Sequence, residues 1–443
     1  MVGYGDGTAL ISPRVVNPER LAASDERSFA VATYRAVRRL STALTDPLTP
    51  EDQTAQSMTC ASPTKWHLAH TTWFFETFLL KPFAPGYAVF DAHFGYLFNS
   101  YYEAEGARHA RPRRGLLTRP SLSDVLAYRD HVDAACKALI TTSENVIWRQ
   151  IRPLLELGLH HEQQHQELIL TDIKHLFSLN PLRPAYAPHR AGDHRPAPRL
   201  AWQTFGEGLQ RIGHASPGFA FDCETPRHKR FVSGFRIASR PVTNGEYLAF
   251  MENGGYRDPM LWLSDGWITV NREAWQAPLY WIFEDGAWQM HGLTGTHALD
   301  PDEPVSHISY FEADAFATWA GKRLPSEDEW EVAAGTVAVA GNLLDRGRLR
   351  PRPAMAEPDN GARLHQIYGD VWEWTRSAFS SYPGFSRADG AIGEYNGKFM
   401  NGQMVLRGGS CLTPPGHIRP TYRNFFYPGD RWQVSGIRLA EDA

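Results

Sequence analysis

Cysteine is scarce in this 443-residue chain. The four present, Cys60, Cys136, Cys223 and Cys411, stand singly, with no CxxC pair and no spacing that suggests a disulfide framework. Long apolar runs are missing as well: no uncharged stretch approaches the roughly 20 residues that span a bilayer. The first residues, MVGYGDGTALISPRVV, have neither a basic start nor a continuous apolar core, so they do not read as a signal peptide. Charge of one sign is not in excess either. A net charge of −4, from 45 basic and 49 acidic residues, gives no reason to expect nucleic acid or a membrane surface as partner. GxSxG, Walker A and GxGxxG motifs are absent. The expectation from these absences is a cytoplasmic protein, and its length exceeds that of a single core, so two domains are expected.

The texture changes at residues 181–198, which hold five prolines and no apolar periodicity. Proline removes a backbone donor and disfavours helix in the residue before it, so residues 181–199 read as a linker. Residues 1–180 read as helical. Asn17-Pro18 opens a run to about Thr45, and Ser62-Pro63 opens a second helix with Trp66, His70, Trp73 and Phe74 on one face. A third runs from Ser121 to about Ile140. The fourth spans about Ile147 to Phe177, with Pro153 as a possible bend. Four such helices pack naturally as a bundle. Residues 81–120 join helices two and three without a clear element, and their aromatic content argues against disorder. Residues 200–443 show short strand-like runs broken by glycine, with helices expected only near 243–252 and 309–320, a β-rich α+β domain.

The fourth helix carries Gly158-Leu-His-His-Glu-Gln-Gln-His-Gln-Glu-Leu168, with three histidines, two glutamates and three glutamines in eleven residues. His161 and His165, four apart, project from one helical face and can meet one metal ion. His160 points about 100° away, toward a supporting or surface role. By itself HxxxH is equally compatible with a hydrogen-bonded pair at a bundle surface. His70 lies on an apolar face, where an imidazole must hydrogen-bond or ligate to offset its burial. Facing His70 toward the other two would create a three-histidine site with open positions, the catalytic kind. The basic run from Arg108 to Arg114 could hold a substrate carboxylate or simply be a solvated surface.

Trp66-His-Leu-Ala-His70 with His161-Glu-Gln-Gln-His165 resembles the metal-binding bundle of the DinB-like superfamily. Arg240-Pro-Val-Thr-Asn-Gly-Glu-Tyr247, Lys322-Arg-Leu-Pro-Ser-Glu-Asp-Glu-Trp-Glu331, Gly369-Asp-Val-Trp-Glu-Trp-Thr375, Leu406-Arg-Gly-Gly-Ser410 and Gly436-Ile-Arg-Leu439 resemble the formylglycine-generating-enzyme-like, C-type-lectin-related fold. In this order the two domains resemble the ergothioneine-biosynthesis sulfoxide synthases (hercynine oxygenases). The resemblance implies a mononuclear non-haem Fe(II) held by His70, His161 and His165. It also implies O2-dependent joining of a thiol to C2 of hercynine (Nα-trimethylhistidine), with oxidation of the sulfur to a sulfoxide. Gln164 resembles the substrate-contacting glutamine of the family, and Asn424 and Phe425 are expected at the trimethylammonium-carboxylate end of hercynine.

The thiol divides the family. Members that use γ-glutamylcysteine carry a catalytic tyrosine in the second domain and an Asp/Arg pair near the chain end. Here Phe426 stands where that aspartate is expected, and Tyr395 matches the tyrosine poorly. Members that use free cysteine supply adjacent tyrosines from the bundle's long loop, which Tyr101-Tyr102 resembles. Cysteine is therefore the expected co-substrate, with Arg111 as its carboxylate ligand. Tyr101 or Tyr102 is the expected general acid, whose proton favours C–S bond formation over oxidation of cysteine to its sulfinic acid. The alternatives are γ-glutamylcysteine, an ovothiol-type histidine–cysteine sulfoxide synthase, and a zinc-dependent DinB-like thiol transferase.

Overall fold

A computed structural model of the protein describes residues 23–189, 196–215, 217–355, 364–389 and 391–443. The first part is a bundle of α1 (Ala23–Ala43), α2 (Thr64–Phe75), α3 (Leu122–Thr142) and α4 (Asn145–Ser178). The expected Asn17-Pro18 start lies outside the described residues. Ser121 caps α3 in a reciprocal box with Asp124. The 34-residue α4 runs as one helix through Pro153 and, at 1.5 Å per residue, is roughly 51 Å long.

The expectation of one buried face on α2 is too modest. All twelve residues of α2 are buried, because the helix runs through the middle of the bundle. It continues into a π-helical turn, Glu76–Leu80. Its close approach to α4 depends on Gly158, where an added Cβ would sit 2.5 Å from the Phe75 ring. The connection that showed no clear element is also ordered. It contains a short helix, Phe94–Phe98, and 3-10 turns at Glu103–Glu105 and Arg111–Leu116. Phe94 and Phe98 anchor it by packing on each other and on Tyr128 of α3. The described part of the proline-rich linker is docked rather than free: Tyr186 is buried, with its hydroxyl donating to Leu44 O and its amide to Leu293 O.

The second part has small sheets wrapped by short helices. Strands β1 (Trp202–Phe205), β4 (Phe235–Ala238) and β12 (Ala440–Asp442) form one sheet, and β2 (Gly208–Ile212) pairs with β3 (His228–Val232). Strands β5 (Trp281–Glu284), β6 (Ala287–Gly292) and β7 (Gly295–Ala298) form a meander. The central sheet has the order β10-β9-β8-β11, from β8 (Trp372–Ala378), β9 (Met404–Arg407), β10 (Asn424–Phe426) and β11 (Ser435–Gly436). β11 runs parallel to β8, and β10 forms the edge, antiparallel to β9. Besides the expected α5 (Asn244–Glu252) and α7 (Tyr310–Trp319), two further helices occur, α6 (Ser264–Arg272) and α8 (Glu327–Ala334). Neither was expected from the sequence, although α6 is as long as α5.

The motifs of this half interlock as buried ion pairs. Arg407 reaches Glu331 at 3.0 Å and Glu327 at 3.2 Å, Arg423 reaches Glu327 at 2.8 Å, and Arg438 reaches Glu373 at 2.7 Å. The first three tie α8 to β9 and the start of β10, the last ties β8 to the chain after β11, and breaking one would leave an uncompensated buried charge. No helix of the described residues is long and apolar enough to cross a membrane.

Candidate metal centre and substrate cavity

The polar stretch of α4 resolves into three faces with separate partners. Glu162 and Gln166 point into the bundle. Glu162 accepts from Arg38 at 2.9 Å and Arg129 at 3.0 Å, and Gln166 donates to Val37 O and Ser41 Oγ. Burial opposes ionisation of Glu162, but the two guanidiniums outweigh it and hold its pKa at about 2. His160, Gln163 and Glu167 face the second domain. His160 Nδ1 lies 3.0 Å from His417 Nδ1, and Gln163 donates to Pro415 O. Glu167 accepts from Trp372, Ser410 and Thr413 at 2.8, 2.5 and 2.7 Å. With both flanks fixed, α4 cannot rotate, and its third face turns His161 and His165 toward α2.

There, one ring nitrogen from each of His70, His161 and His165 lies within 4.8 Å of the others. Burial pushes all three pKa values down, that of His161 to about 3, so the imidazoles are neutral at physiological pH. His70 Nδ1 donates to Phe98 O at 2.6 Å, which leaves the lone pair on Nε2, and that buried nitrogen has no partner. Neither ring nitrogen of His161 has one. His165 Nδ1 lies 2.7 Å from His67 Nδ1, and His67 Nε2 lies 3.1 Å from Asp172 Oδ2. The consistent tautomers put a proton on His165 Nδ1 and on His67 Nε2, which again leaves the lone pair of His165 on Nε2. Three neutral imidazoles with a lone pair each to offer, two of them buried and unpartnered, suit a divalent transition metal, iron and zinc alike. Metal-ligating histidines commonly have their second ring nitrogen held by a hydrogen-bond partner, as Phe98 O holds that of His70.

His161 and His165 open onto a cavity of about 410 Å³ between the two domains. Gln164, Arg111, Asn424, Phe425 and Tyr101 all line it. The structure separates the tyrosine pair. Tyr101 reaches the cavity, whereas Tyr102 is fully buried among Trp73, Phe74 and Phe78 and is not part of its wall. Tyr395 is better placed than its sequence match suggested. Its ring lies 5.6 Å from that of His161, and its hydroxyl donates to Gln164 Oε1 at 2.5 Å. Gln164 in turn donates to the Tyr422 hydroxyl at 2.8 Å. The long loop and the Tyr395 segment are clamped together. Glu394 accepts from the amides of Glu103 and Ala104 at 3.0 and 2.9 Å, and Lys398 donates to Tyr101 O.

Several groups in the cavity wall and behind it were not singled out by the sequence. Arg114 stacks 3.3 Å from the ring centre of Trp66, which itself stacks on His70 at 4.6 Å. It lies three residues from Arg111 in the same basic run, and nothing in the sequence marks it as the buried one. His67 and Asp172 were visible only as members of their helices. Asp430 also reaches the cavity, and burial pushes its carboxyl up to about 6.

The description Sulfatase-modifying factor enzyme 1-like domain matches residues 204–443, and the DinB superfamily matches residues 33–169. The chain is similar to the hercynine oxygenase of Mycolicibacterium smegmatis, 33% identical over 408 residues that cover 86% of this chain and 91% of the relative. The hercynine oxygenase of Mycobacterium tuberculosis is 31% identical over 401 residues, with the same two coverages. The formylglycine-generating enzyme of Bos taurus matches at 27% identity over 273 residues, 52% of this chain and 71% of that one. In the two oxygenases the similarity runs through both domains, and the chain belongs to the hercynine oxygenase family of enzymes.

Proposed function

We propose that the protein joins cysteine to C2 of hercynine and oxidises the sulfur to the sulfoxide, consuming one O2 and releasing water. The thiol S–H and the imidazole C2–H are lost as the C–S bond forms, and sulfur gains one oxygen. These changes supply the electrons that reduce O2, so no external reductant is needed. The observation that carries this reading is the convergence of three neutral imidazoles, two of them in the wall of a cavity lined by aromatic side chains. Fe(II) held by His70, His161 and His165 would supply O2 activation and a common anchor for both substrates.

The remaining residues position and protonate. Gln164, oriented by Tyr395 and Tyr422, meets the hercynine imidazole, with Asn424 beside its carboxylate end. Phe425 offers its face to the trimethylammonium group, since aromatic faces attract quaternary cations. Its ring is braced by Phe379 at 4.0 Å. Arg111 and Arg114 are the cationic groups available to the carboxylate of the thiol substrate. Tyr395 is our choice of proton donor, with Tyr101 next to it at 6.4 Å and Tyr102 withdrawn from the role. Burial raises the pKa of both Tyr395 and Tyr101, so each phenol stays protonated.

One observation favours γ-glutamylcysteine instead: a tyrosine of the second domain stands at the histidine cluster. Phe426 on the cavity wall favours cysteine, because it offers no charge to a glutamyl group. The test is O2 uptake and product mass with Fe(II)-loaded protein, hercynine and either thiol. Formation of hercynylcysteine sulfoxide, with a larger kcat/KM for cysteine, is expected. No C–S product with either thiol would overturn the reading.

A further inference from the structure

Gln164 belongs to a hydrogen-bonded chain that leads away from the cavity. Its carbonyl accepts from the Tyr395 hydroxyl at 2.5 Å, and its amide donates to the Tyr422 hydroxyl at 2.8 Å. Tyr422 Oη lies 3.0 Å from His417 Nε2, and His417 Nδ1 lies 3.0 Å from His160 Nδ1. Four links thus join the proposed proton donor to an imidazole on another face of α4. The chain bends around Phe221. That ring stacks on Tyr395 at 5.4 Å and stands edge-on to Tyr422, His417 and His160 at 5.7, 6.2 and 6.2 Å. Tyr395, Tyr422 and His417 are buried, and burial keeps both imidazoles of the chain neutral.

Each link holds one proton. A hydroxyl has one to give, a neutral imidazole has one N–H and one lone pair, and the amide donates at one end and accepts at the other. The Tyr422 hydroxyl has no third partner among the described residues, so its proton stays within the chain only if every link points the same way. Two arrangements result. In one, protons run outward from Tyr395 to His160, and Gln164 engages the phenol's only proton. In the other, His160 donates to His417, His417 to Tyr422, Tyr422 to the Gln164 carbonyl, and the turned amide to Tyr395. The phenol's proton is then free for the reacting atoms, and a donor on its oxygen eases the proton's departure. The two arrangements differ in imidazole tautomer and a half-turn of one amide, not in charge.

We propose that His417 is a positioning residue for the proton transfer: through Tyr422 and Gln164 it turns the Tyr395 hydroxyl toward the reacting atoms. This inference rests on the proposed role of Tyr395 as proton donor and adds the residues that aim its proton.

The test reads the ratio of sulfoxide to cysteine sulfinic acid in single turnovers of Fe(II)-loaded protein with hercynine and cysteine. Tyr422→Phe removes one hydroxyl and keeps the ring, and His417→Phe removes both ring nitrogens. Each should lower the ratio about 10-fold, the effect of one hydrogen bond lost at the transition state, with iron content unchanged. In a Tyr395→Phe background neither should lower it further, because no phenolic proton is left to aim. An unchanged ratio in either variant overturns the proposal. So does an equal further fall in the Tyr395→Phe background, which marks a role in packing. If Tyr395→Phe itself leaves the ratio unchanged, the reading of Tyr395 fails and this inference with it. If Tyr395→Phe shifts the ratio and the chain variants do not, the chain alone is wrong.

Discussion

Two clusters of buried polar groups flank α4, and they are built in opposite ways. Toward α1 and α3, Glu162 sits between Arg38 and Arg129, and Arg38 also holds Asp133 at 2.7 Å. Every charge there meets its opposite. Toward the cavity, His161 has two unpartnered ring nitrogens, His70 has one, and Arg114 has no carboxylate. Two side chains one position apart on the same helix, Glu162 and His161, are closed on one side and open on the other. Burial alone does not mark a site, since both clusters are buried. What separates them is whether the polar capacity is used up within the chain, because an unmet buried donor or acceptor costs stability unless a ligand meets it.

Substitutions on the two sides should therefore dissociate activity from stability. The largest effect is expected for His161→Ala: loss of stoichiometric iron and at least a ~1000-fold loss of sulfoxide formation, with little change in melting temperature. Metal analysis beside calorimetry checks it, and full iron loading in the variant would refute the ligand assignment. Glu162→Ala should do the reverse, costing about 3–5 kcal/mol by stranding two buried guanidiniums. Denaturant unfolding measures it. A loss below about 1 kcal/mol would erase the contrast.

Acid sharpens the same contrast. The two guanidiniums depress the folded-state pKa of Glu162 to about 2, from the ordinary 4.5 of a free glutamate. Its stabilisation is therefore present above pH 4.5 and is lost as pH falls toward 2. The loss amounts to about 3 kcal/mol by linkage. Unfolding free energies across that window should fall less in Glu162→Gln than in the wild type, and parallel curves would contradict the assignment.

On the open side, Tyr395→Phe should keep iron and O2 uptake, slow sulfoxide formation ~100-fold and divert product toward cysteine sulfinic acid. Tyr102→Phe should leave the product ratio unchanged. Mass spectrometry of single-turnover mixtures decides, and an unaltered ratio in Tyr395→Phe passes the role to Tyr101. The smallest effect is expected at Phe425→Ala, a rise of about 10-fold in the KM for hercynine with the KM for cysteine unmoved. Equal rises in both would place hercynine elsewhere in the cavity.

Features that depend on near neighbours were legible in the sequence. Helical periodicity put His161 and His165 on one face of α4, and Ser121 marked the start of α3. The linker's prolines separated the two textures. The spaced motifs of the second half identified its fold, although the sequence did not say why they occur. In the structure they are the two ends of buried Arg–Glu pairs, such as Arg438 with Glu373. Helices α6 and α8 stayed hidden, although α5, no longer than α6, was legible.

Long-range placement belonged to the tertiary structure. His70 meets His161 because α2 runs through the bundle's centre and Gly158 lets α4 approach it. Tyr395 stands near the cluster, and Tyr102 away from the cavity, because Glu394 and Lys398 clamp two segments almost 300 residues apart. The same holds for charge. The run from Arg108 to Arg114 reads as uniformly basic, yet only the fold decides that Arg114 is sealed against Trp66 while Glu103 pairs with Arg108 at the surface. Periodicity, capping and turn chemistry act over a few residues and can be read along the chain. Desolvation and partner choice depend on what packs against a group, so the sequence by itself determined the bundle, the second domain and the histidine spacing, while only the fold decided which polar groups remain open.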